Sequence, residues 1–337
     1  MNEKLLTIVI PTYNRGDILP YTLHLLREQV NRQSEFVEIV VCNNASTDNT
    51  HNEILKLYKA EPYFTYVHYQ EHAEIGISIS RSIDNVKSKY FLLWGDDDVP
   101  APYMLDVLVD TLQKYPKIGC IHFNRLMGKD VNGRVLSNQK IFYSTYTDDV
   151  ILYEDSQEFI KSHFRGMTFL SVDLIATEAW NKGKEIFTNE HLGFEYLAPF
   201  LYGINNYHCI YISFPLCIQR CLSKPIYDYK WPAYLYVGIP RLLCLLQQKH
   251  VINDWREIYN IYLTNGQFSS NILGYINNMI YRASRDKKYY KPLIKEIISY
   301  QESRIKKICT YLIILPSWMN KINRKIIEIL IRIFKIN

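Results

Sequence analysis

No C-x-x-C pair occurs among the seven cysteines of this chain, and their number is odd. That argues against a disulfide framework and a zinc ribbon, and for a reducing compartment. No run approaches the ~18 consecutive apolar residues that a bilayer span requires. Nothing like a secretory leader opens the sequence: after MNEK comes only the short run LLTIVI, which reads as a strand. Neither G-x-G-x-x-G nor G-x-x-x-x-G-K-[ST] occurs near the candidate strands, which counts against dinucleotide and P-loop chemistry. Internal repeats and low-complexity segments are absent as well. The location expected from these features is cytoplasmic.

What remains is an ordinary folded composition with two unusual features. At 337 residues, 48% hydrophobic and 22% charged, the chain has room for two domains or one large domain with an appendage. Its 28 tyrosines suit sugar-binding and membrane-interface surfaces as well as plain cores. Charge is uneven: residues 304–337 carry eight Lys or Arg against the single acid Glu328. With +5 overall, a tail of +7 leaves −2 for the rest, so the basicity belongs to one segment and no nucleic-acid partner is expected. In that tail Ile322, Ile326, Leu330 and Ile333 recur at helical spacing among Lys321, Arg324, Lys325, Arg332 and Lys335. Such a basic amphipathic helix suits an anionic membrane surface, or else packs on the protein's own core.

The N-terminal part alternates strand-like and helix-like runs. LLTIVIP reads as a buried strand stopped by Pro11. LPYTLHLLREQV repeats Leu19, Leu23, Leu26 and Val30 as a helix, and VEIVVCN is a second strand. A helix follows, capped by Ser46 or Thr47 with Asp48 in its first turn. FTYVHYQ, GISISRSIDNVKS and YFLLWG continue as strand, helix, strand. Strands separated by such helices imply right-handed crossovers and a mostly parallel sheet, whose ligands bind beyond the C-terminal strand ends. The loops PTYNR, NNASTD and GDDD all fall on that edge.

The stretch YFLLWGDDDVP, residues 90–100, ends an apolar run in three carboxylates, Asp96, Asp97 and Asp98. Adjacent like charges repel, so a cation belongs there, and Mg²⁺ or Mn²⁺ fits oxygen-only ligands. On an extended strand end Asp96 and Asp98 would point to one side; a turn or a helix cap would use the same residues. Asn43 and Asn44 could bond the edge of a flat heterocycle, or the loop could serve only to cap a helix. Thr12 and Tyr13 could line a base or ribose, with Arg15 near phosphate.

These elements resemble family 2 glycosyltransferases of GT-A fold, on IPTYNR at 10–15, NNASTD at 43–48, EIGISISR at 74–81 and GDDD at 95–98. The resemblance covers roughly residues 5–125 and is closest to enzymes that extend lipid-linked bacterial surface-polysaccharide intermediates. It implies an α/β GT-A fold with a Rossmann-like sheet flanked by helices and a helical C-terminal extension. It implies a nucleotide-diphosphate sugar donor, a UDP-sugar first, lined by Pro11, Thr12, Tyr13, Arg15, Asn43, Asn44, Arg81, Asp96 and Asp97. Asp98 and Asp96 would hold the metal. Asn43 stands where many relatives carry an Asp that accepts from the base, and Glu74 where they carry Asn. The family's downstream acidic pair is missing from FTNEHLGFEYLAPFLYG; Glu195 is the first choice for general base, with Glu190 and His191 behind it and Asp173 a minor alternative. In HFRGMTFLSVDLIATEAW, residues 163–180, a glycine-led strand is expected under the sugar.

The organisation expected is a nucleotide-sugar subdomain over 1–125, an acceptor and catalytic subdomain over 126–235, and a helical region with the basic tail over 236–337. The acceptor would be a saccharide or lipid-linked saccharide, reached at the inner face of the cell membrane. Two other readings stand beside this one. A sugar-nucleotidyltransferase would share the sheet and metal site but need a Gly-rich, basic first loop, and PTYNRGD is poor in both. A membrane-docked scaffold with a degenerate site is disfavoured by the intact GDDD and kept open by the missing acidic pair.

Overall fold

The structure is a computed structural model that describes residues 3–58, 61–131, 134–141, 149–188, 193–221, 233–264, 291–300 and 307. The chain divides into two compact units, one of residues 1–187 and 195–223, the other of residues 188–194 and 224–337.

In the first unit, β1 (Leu6–Thr12), β2 (Val37–Asn43), β3 (Phe64–His68) and β4 (Tyr90–Leu93) are joined by helices α1 (Leu19–Arg32), α2 (Thr50–Tyr58) and α3 (Ile75–Ile83). All four strands are parallel, in the order β3-β2-β1-β4. The apolar face of α1 is the expected one, with Leu19, Leu23, Leu26 and Val30 all buried. The chain winds outward from β1 to β3 and then returns to the other side of β1. Ligand crevices form at such a reversal, beyond the strand ends. Pro11 does not stop β1. The Val9 carbonyl accepts from the Trp94 N–H on the β4 side, so Pro11, two residues on, faces the same side; pairing with β4 ends at Val9↔Leu93, and the missing N–H falls where no strand needs it.

Beyond β4 the sheet changes character. The short β5 (Val99–Pro100) and helix α4 (Met104–Lys114) follow, then β6 (Cys120–Val131), β7 (Arg134–Ile141) and β8 (Val150–Tyr153). Helix α5 (Ser156–Met167), β9 (Asp173–Ala176), helices α6 (Thr177–Gly183) and α7 (Leu197–Gly203), and β10 (Cys209–Cys221) complete the unit. The described strands form one ten-stranded sheet, continuing from β4 through β9, β6 and β10 to β5, with β7 on β6 and β8 on β10. β9 lies antiparallel between β4 and β6. Gly166 therefore leads no strand. It lies inside α5, whose start is capped by Asp155 accepting from the Gln157 N–H at 2.8 Å, and the strand begins only at Asp173.

The core is centred on β4. Phe91, Leu92, Leu93 and Trp94 are buried, and Phe91 meets Trp180 edge-on at 6.0 Å between ring centroids. Each such side chain contributes about 1.5–3 kcal/mol on burial. That anchors the strand whose next residues are the three carboxylates.

In the second unit a turn of π-helix, Tyr234–Gly238, runs into α8 (Ile239–Gln248), followed by α9 (Trp255–Thr264) and α10 (Ile294–Tyr300). Arg241 holds Glu296 through two contacts of 2.6 Å, tying α8 to α10. The helical character expected from Ile239 onward is present there. The tail beyond residue 307 lies outside the described residues.

Candidate active site

The loops after β1 and β2 are locked together by short polar side chains. Asn14 adopts a left-handed backbone (φ 54°) that turns its side-chain oxygen towards the Thr47 N–H at 2.8 Å, while its own N–H reaches the Ser46 hydroxyl at 2.9 Å. Asp48 caps α2: it accepts from the Thr50 N–H at 3.0 Å, and its second oxygen takes the Gly16 N–H at 3.1 Å. These bonds hold its carboxyl below the usual range despite some burial. Asp48 thus does the capping expected of Ser46 or Thr47, because those residues are engaged by the β1 loop and the helix starts later, at Thr50.

Asn43 and Asn44 are both buried. Asn43 accepts from the Ser46 N–H and donates to the Tyr66 hydroxyl, both at 2.9 Å, so both ends of its amide are engaged inside the protein. Asn44 donates to the Ala73 carbonyl and accepts from the Ala73 N–H, each at 2.9 Å, and also accepts from Arg81. Arg81 in turn lies 3.8 Å over the Tyr69 ring and donates to the Glu71 carbonyl at 3.0 Å. Asn44 and Arg81 therefore brace the segment before α3. Tyr13, 40% exposed, stays open to a ligand beside His72, with ring centroids 4.3 Å apart.

The acidic segment is a turn, not an extended strand end. Asp96 and Asp97 form its corner, and the Asp98 N–H reaches back towards the Gly95 carbonyl at 3.4 Å. Consequently Asp96 and Asp98 have different partners. Arg15 donates from Nε to Asp96 at 3.1 Å and places a second nitrogen 3.9 Å from Asp97. Asp98 accepts the Ser171 hydroxyl proton at 2.5 Å and the Arg220 N–H at 3.3 Å. Burial pushes the Asp96 carboxyl up to about 6, with Arg15 opposing and Asp97 adding to the rise. Burial and the neighbouring Asp97 push Asp98 up to about 8. Like charges gathered in a low-dielectric place favour a counter-cation.

The donor set fits a hard divalent ion. All the oxygens are carboxylate, and each retains lone pairs beyond those already engaged. The buried Thr12 hydroxyl beside them has no hydrogen-bond partner of good geometry, although it lies near enough to Asp96 to favour its charged form. Among the described residues no three His, Cys, Asp or Glu side chains converge on one point. The chain would then supply one or two ligands and leave the rest to phosphate and water, as Mg²⁺ prefers.

Glu195 is buried just before α7. Its carboxylate lies against Gly76, in the first turn of α3, where an added Cβ would come 1.9 Å from Oε2. Because α3 follows the parallel strand β3, its N-terminus belongs to the edge that also carries PTYNR, NNASTD and GDDD. Pro11, Thr12, Tyr13, Arg15, Asn43, Asn44, Arg81, Asp96, Asp97, Asp98 and Glu195 thus share one sheet edge. Glu190 and His191 lie outside the described residues. Asp173 is buried in the sheet, 2.7 Å from Nδ1 of the buried His122, so its carboxylate is engaged inside the protein. Ser171, His72 and Gly76 carry no sequence signal of their own, since their roles come from non-local pairing.

Comparison with known proteins agrees with this architecture. Residues 7–172 match the family described as glycosyl transferase family 2. An uncharacterised glycosyltransferase of Rickettsia conorii is 29% identical over 114 residues, 33% of this chain and 18% of that protein. One of Rickettsia felis is 30% identical over 110 residues, 33% of this chain and 17% of that protein. The match thus spans less than a fifth of either relative's length. S. aureus TarS 1–349, solved with UDP-GlcNAc, superposes with a TM-score of 0.62 at 15% identity, covering 92% of this chain and 90% of that one. The mannosyltransferase PcManGT of Pyrobaculum calidifontis, solved with GDP-Man and Mn²⁺, gives 0.53 at 12% identity, covering 94% and 88%. At such identities these likenesses establish the fold, which is GT-A.

Proposed function

Residues 7–172 of the chain belong to glycosyl transferase family 2, and from that premise we propose that the protein moves a sugar from a nucleotide-diphosphate donor to a saccharide acceptor. The observation that carries this reading is the acidic turn Asp96–Asp98, half-buried at Asp96 and Asp97 and buried at Asp98, met by Arg15 at the strand reversal between β1 and β4. Asp96 and Asp98 would hold Mg²⁺ or Mn²⁺, which when bound neutralises charge growing on the departing diphosphate. Thr12 and Tyr13 would receive the nucleotide, with Pro11 setting the loop. Arg15 would meet phosphate. Asn43, Asn44 and Arg81 would hold the loops around the base, and Asp97 would stand beside the ribose and metal. A UDP-sugar is the first choice of donor, a choice supported by the UDP-GlcNAc complex of a protein sharing the fold.

Glu195 is the proposed general base. It takes the acceptor hydroxyl proton as that oxygen bonds to sugar C1. The bond from C1 to the diphosphate breaks on the opposite face, and the diphosphate leaves with the electron pair. The configuration at C1 inverts. We assign the donor side to residues 1–125, the acceptor side to 126–235 and a helical extension to 236–337. The acceptor of choice is a lipid-linked saccharide of bacterial surface-polysaccharide assembly. The basic tail would then dock the enzyme peripherally on the inner face of the membrane. Among the described residues no helix is long and apolar enough to cross a membrane.

The test is release of nucleotide diphosphate from a panel of UDP- and GDP-sugars, with Mn²⁺ or with EDTA. Asp96→Asn should abolish release while the protein stays folded. No nucleotide binding by the wild-type protein would sink the reading, and full turnover in EDTA would remove the metal from it. Deleting residues 317–337 should release the protein from anionic vesicles. Undiminished co-sedimentation would send the tail back to the core.

A further inference from the structure

We propose that Ser171 is the positioning residue for Asp98, and through Asp98 for the divalent cation; the inference rests on the metal-dependent transfer proposed above. The sheet register leads to it. β9 runs antiparallel to β4 with Tyr90↔Ala176, Phe91↔Ile175 and Leu92↔Leu174 opposite one another. Continued at the same register beyond the strand ends, the residue facing Gly95 is Ser171. The chain there makes a short 3₁₀ turn, Leu170–Val172, and the serine side chain meets the acidic turn.

The hydroxyl of Ser171 accepts from the Gly95 N–H at 2.7 Å and donates to Asp98 Oδ2 at 2.5 Å. A serine has one proton to give, and here it goes to the carboxylate. The same oxygen therefore fixes the backbone that starts the turn and the side chain that ends it. Ser171 is fully buried, and a Cβ at Gly95 would come 2.7 Å from Asp98 Oδ2 and 3.1 Å from the serine oxygen, so a side chain there would displace the carboxylate. On the other edge of β9, His122 and Asp173 are cross-strand partners joined at 2.7 Å, which pins the register two residues from the serine. A slip by one residue would bring Leu170 or Val172 to the carboxylate and leave it without this donor.

Groups that orient a metal ligand typically change metal affinity about 10–100-fold when removed. The experiment compares wild type, Ser171→Ala and Ser171→Cys by titrating Mn²⁺ into protein with UDP and following free Mn²⁺ by electron paramagnetic resonance. Thermal unfolding and UDP binding in EDTA are recorded alongside. The expected result is Mn²⁺ binding weakened about 10–100-fold in Ser171→Ala. Ser171→Cys should lie between, since a thiol donates weakly. UDP binding in EDTA should be unchanged. A purely structural serine would lower the unfolding temperature and leave Mn²⁺ affinity alone, and that outcome overturns the proposal. Should Ser171→Ala fail to fold, wild-type Mn²⁺ affinity in Ser171→Cys overturns it equally. If wild type with UDP takes up no Mn²⁺ at all, the metal reading of the site fails first, and this inference fails with it.

Discussion

The carboxylate of Glu195 rests on the α-carbon of Gly76: a methyl group there would lie 1.9 Å from Oε2, 2.7 Å from Cδ and 2.8 Å from Cβ of the glutamate. No rotation of a terminal oxygen relieves three overlaps that reach back to Cβ. Glycine at this point of EIGISISR is therefore a condition for Glu195 to occupy its place.

Gly76→Ala should consequently behave like a mild Glu195→Gln. If Glu195 is the base, both variants lose turnover, Glu195→Gln by about 10²–10⁴-fold. Nucleotide affinity, measured by calorimetry, should stay near wild type in both. Weakened nucleotide binding with normal turnover at saturation would make Gly76 a donor-side residue instead.

A second prediction concerns pH. His163 is buried, stacked 4.1 Å from Tyr211 and 3.2 Å from the Tyr153 hydroxyl. Burial, with His122 adding to it, pushes its pKa down to about 2. In the unfolded chain a histidine binds a proton below about 6.5, whereas in the fold His163 stays neutral. Its contribution is thus present above that value and is lost as pH falls, by about 2 kcal/mol between pH 6.5 and 5. His122, driven down to about 3 by burial, acts in the same sense, while Asp173, driven up, acts in the opposite one. Denaturant unfolding of His163→Phe should show a correspondingly flatter decline over that range. An unchanged slope would mean that His163 is protonated in the fold.

Asn43 carries a third. Its amide is enclosed, bonded to the Ser46 N–H and the Tyr66 hydroxyl. Asn43→Ala should cost about 1–3 kcal/mol of stability, the usual penalty for buried polar groups left without partners. The ratio of UDP to GDP affinity should hardly move. A changed ratio at wild-type stability would return Asn43 to direct contact with the base.

Much of this site was legible in sequence because its signals are local. The apolar runs of β1, β2 and β4 and the spacing of α1 located the strand ends, and with them the edge on which PTYNR, NNASTD and GDDD meet. What was hidden depends on partners far along the chain. Ser171 acquires its role only through antiparallel pairing of β9 with β4, and Gly76 only through Glu195. Asp48 displaces Ser46 and Thr47 as the cap because Asn14, from another loop, engages them first. Gly166 suggested a strand start, yet Asp155 and the apolar spacing of Phe159, Ile160, Phe164 and Met167 make that segment a helix.

The last prediction returns to the cation that three adjacent carboxylates require. In the free protein Arg15 fills that role, with Nε on Asp96 and Nη2 near Asp97. Its backbone is fixed independently: the Arg15 N–H donates to the Thr50 hydroxyl at 2.8 Å, and its carbonyl accepts from Ile18 and Leu19 at 3.0 and 2.9 Å. Arg15→Ala therefore removes the charge and leaves the loop. Two effects on Mn²⁺ binding then oppose each other. Asp96 loses a neighbour that favours its ionised form, so protons compete better for it. The metal loses a repelling neighbour, and a divalent ion feels that repulsion about twice as strongly as a proton at the same place. The second effect wins, most clearly at pH 8, where Asp96 is readily ionised. Arg15→Ala should bind Mn²⁺ alone more tightly than wild type and UDP with Mn²⁺ less tightly, because the diphosphate has lost its guanidinium. Calorimetric titrations of each ligand measure the two signs separately. A loss in both would mean that Arg15 only holds the acidic turn in shape, and a gain in both would remove it from the phosphate.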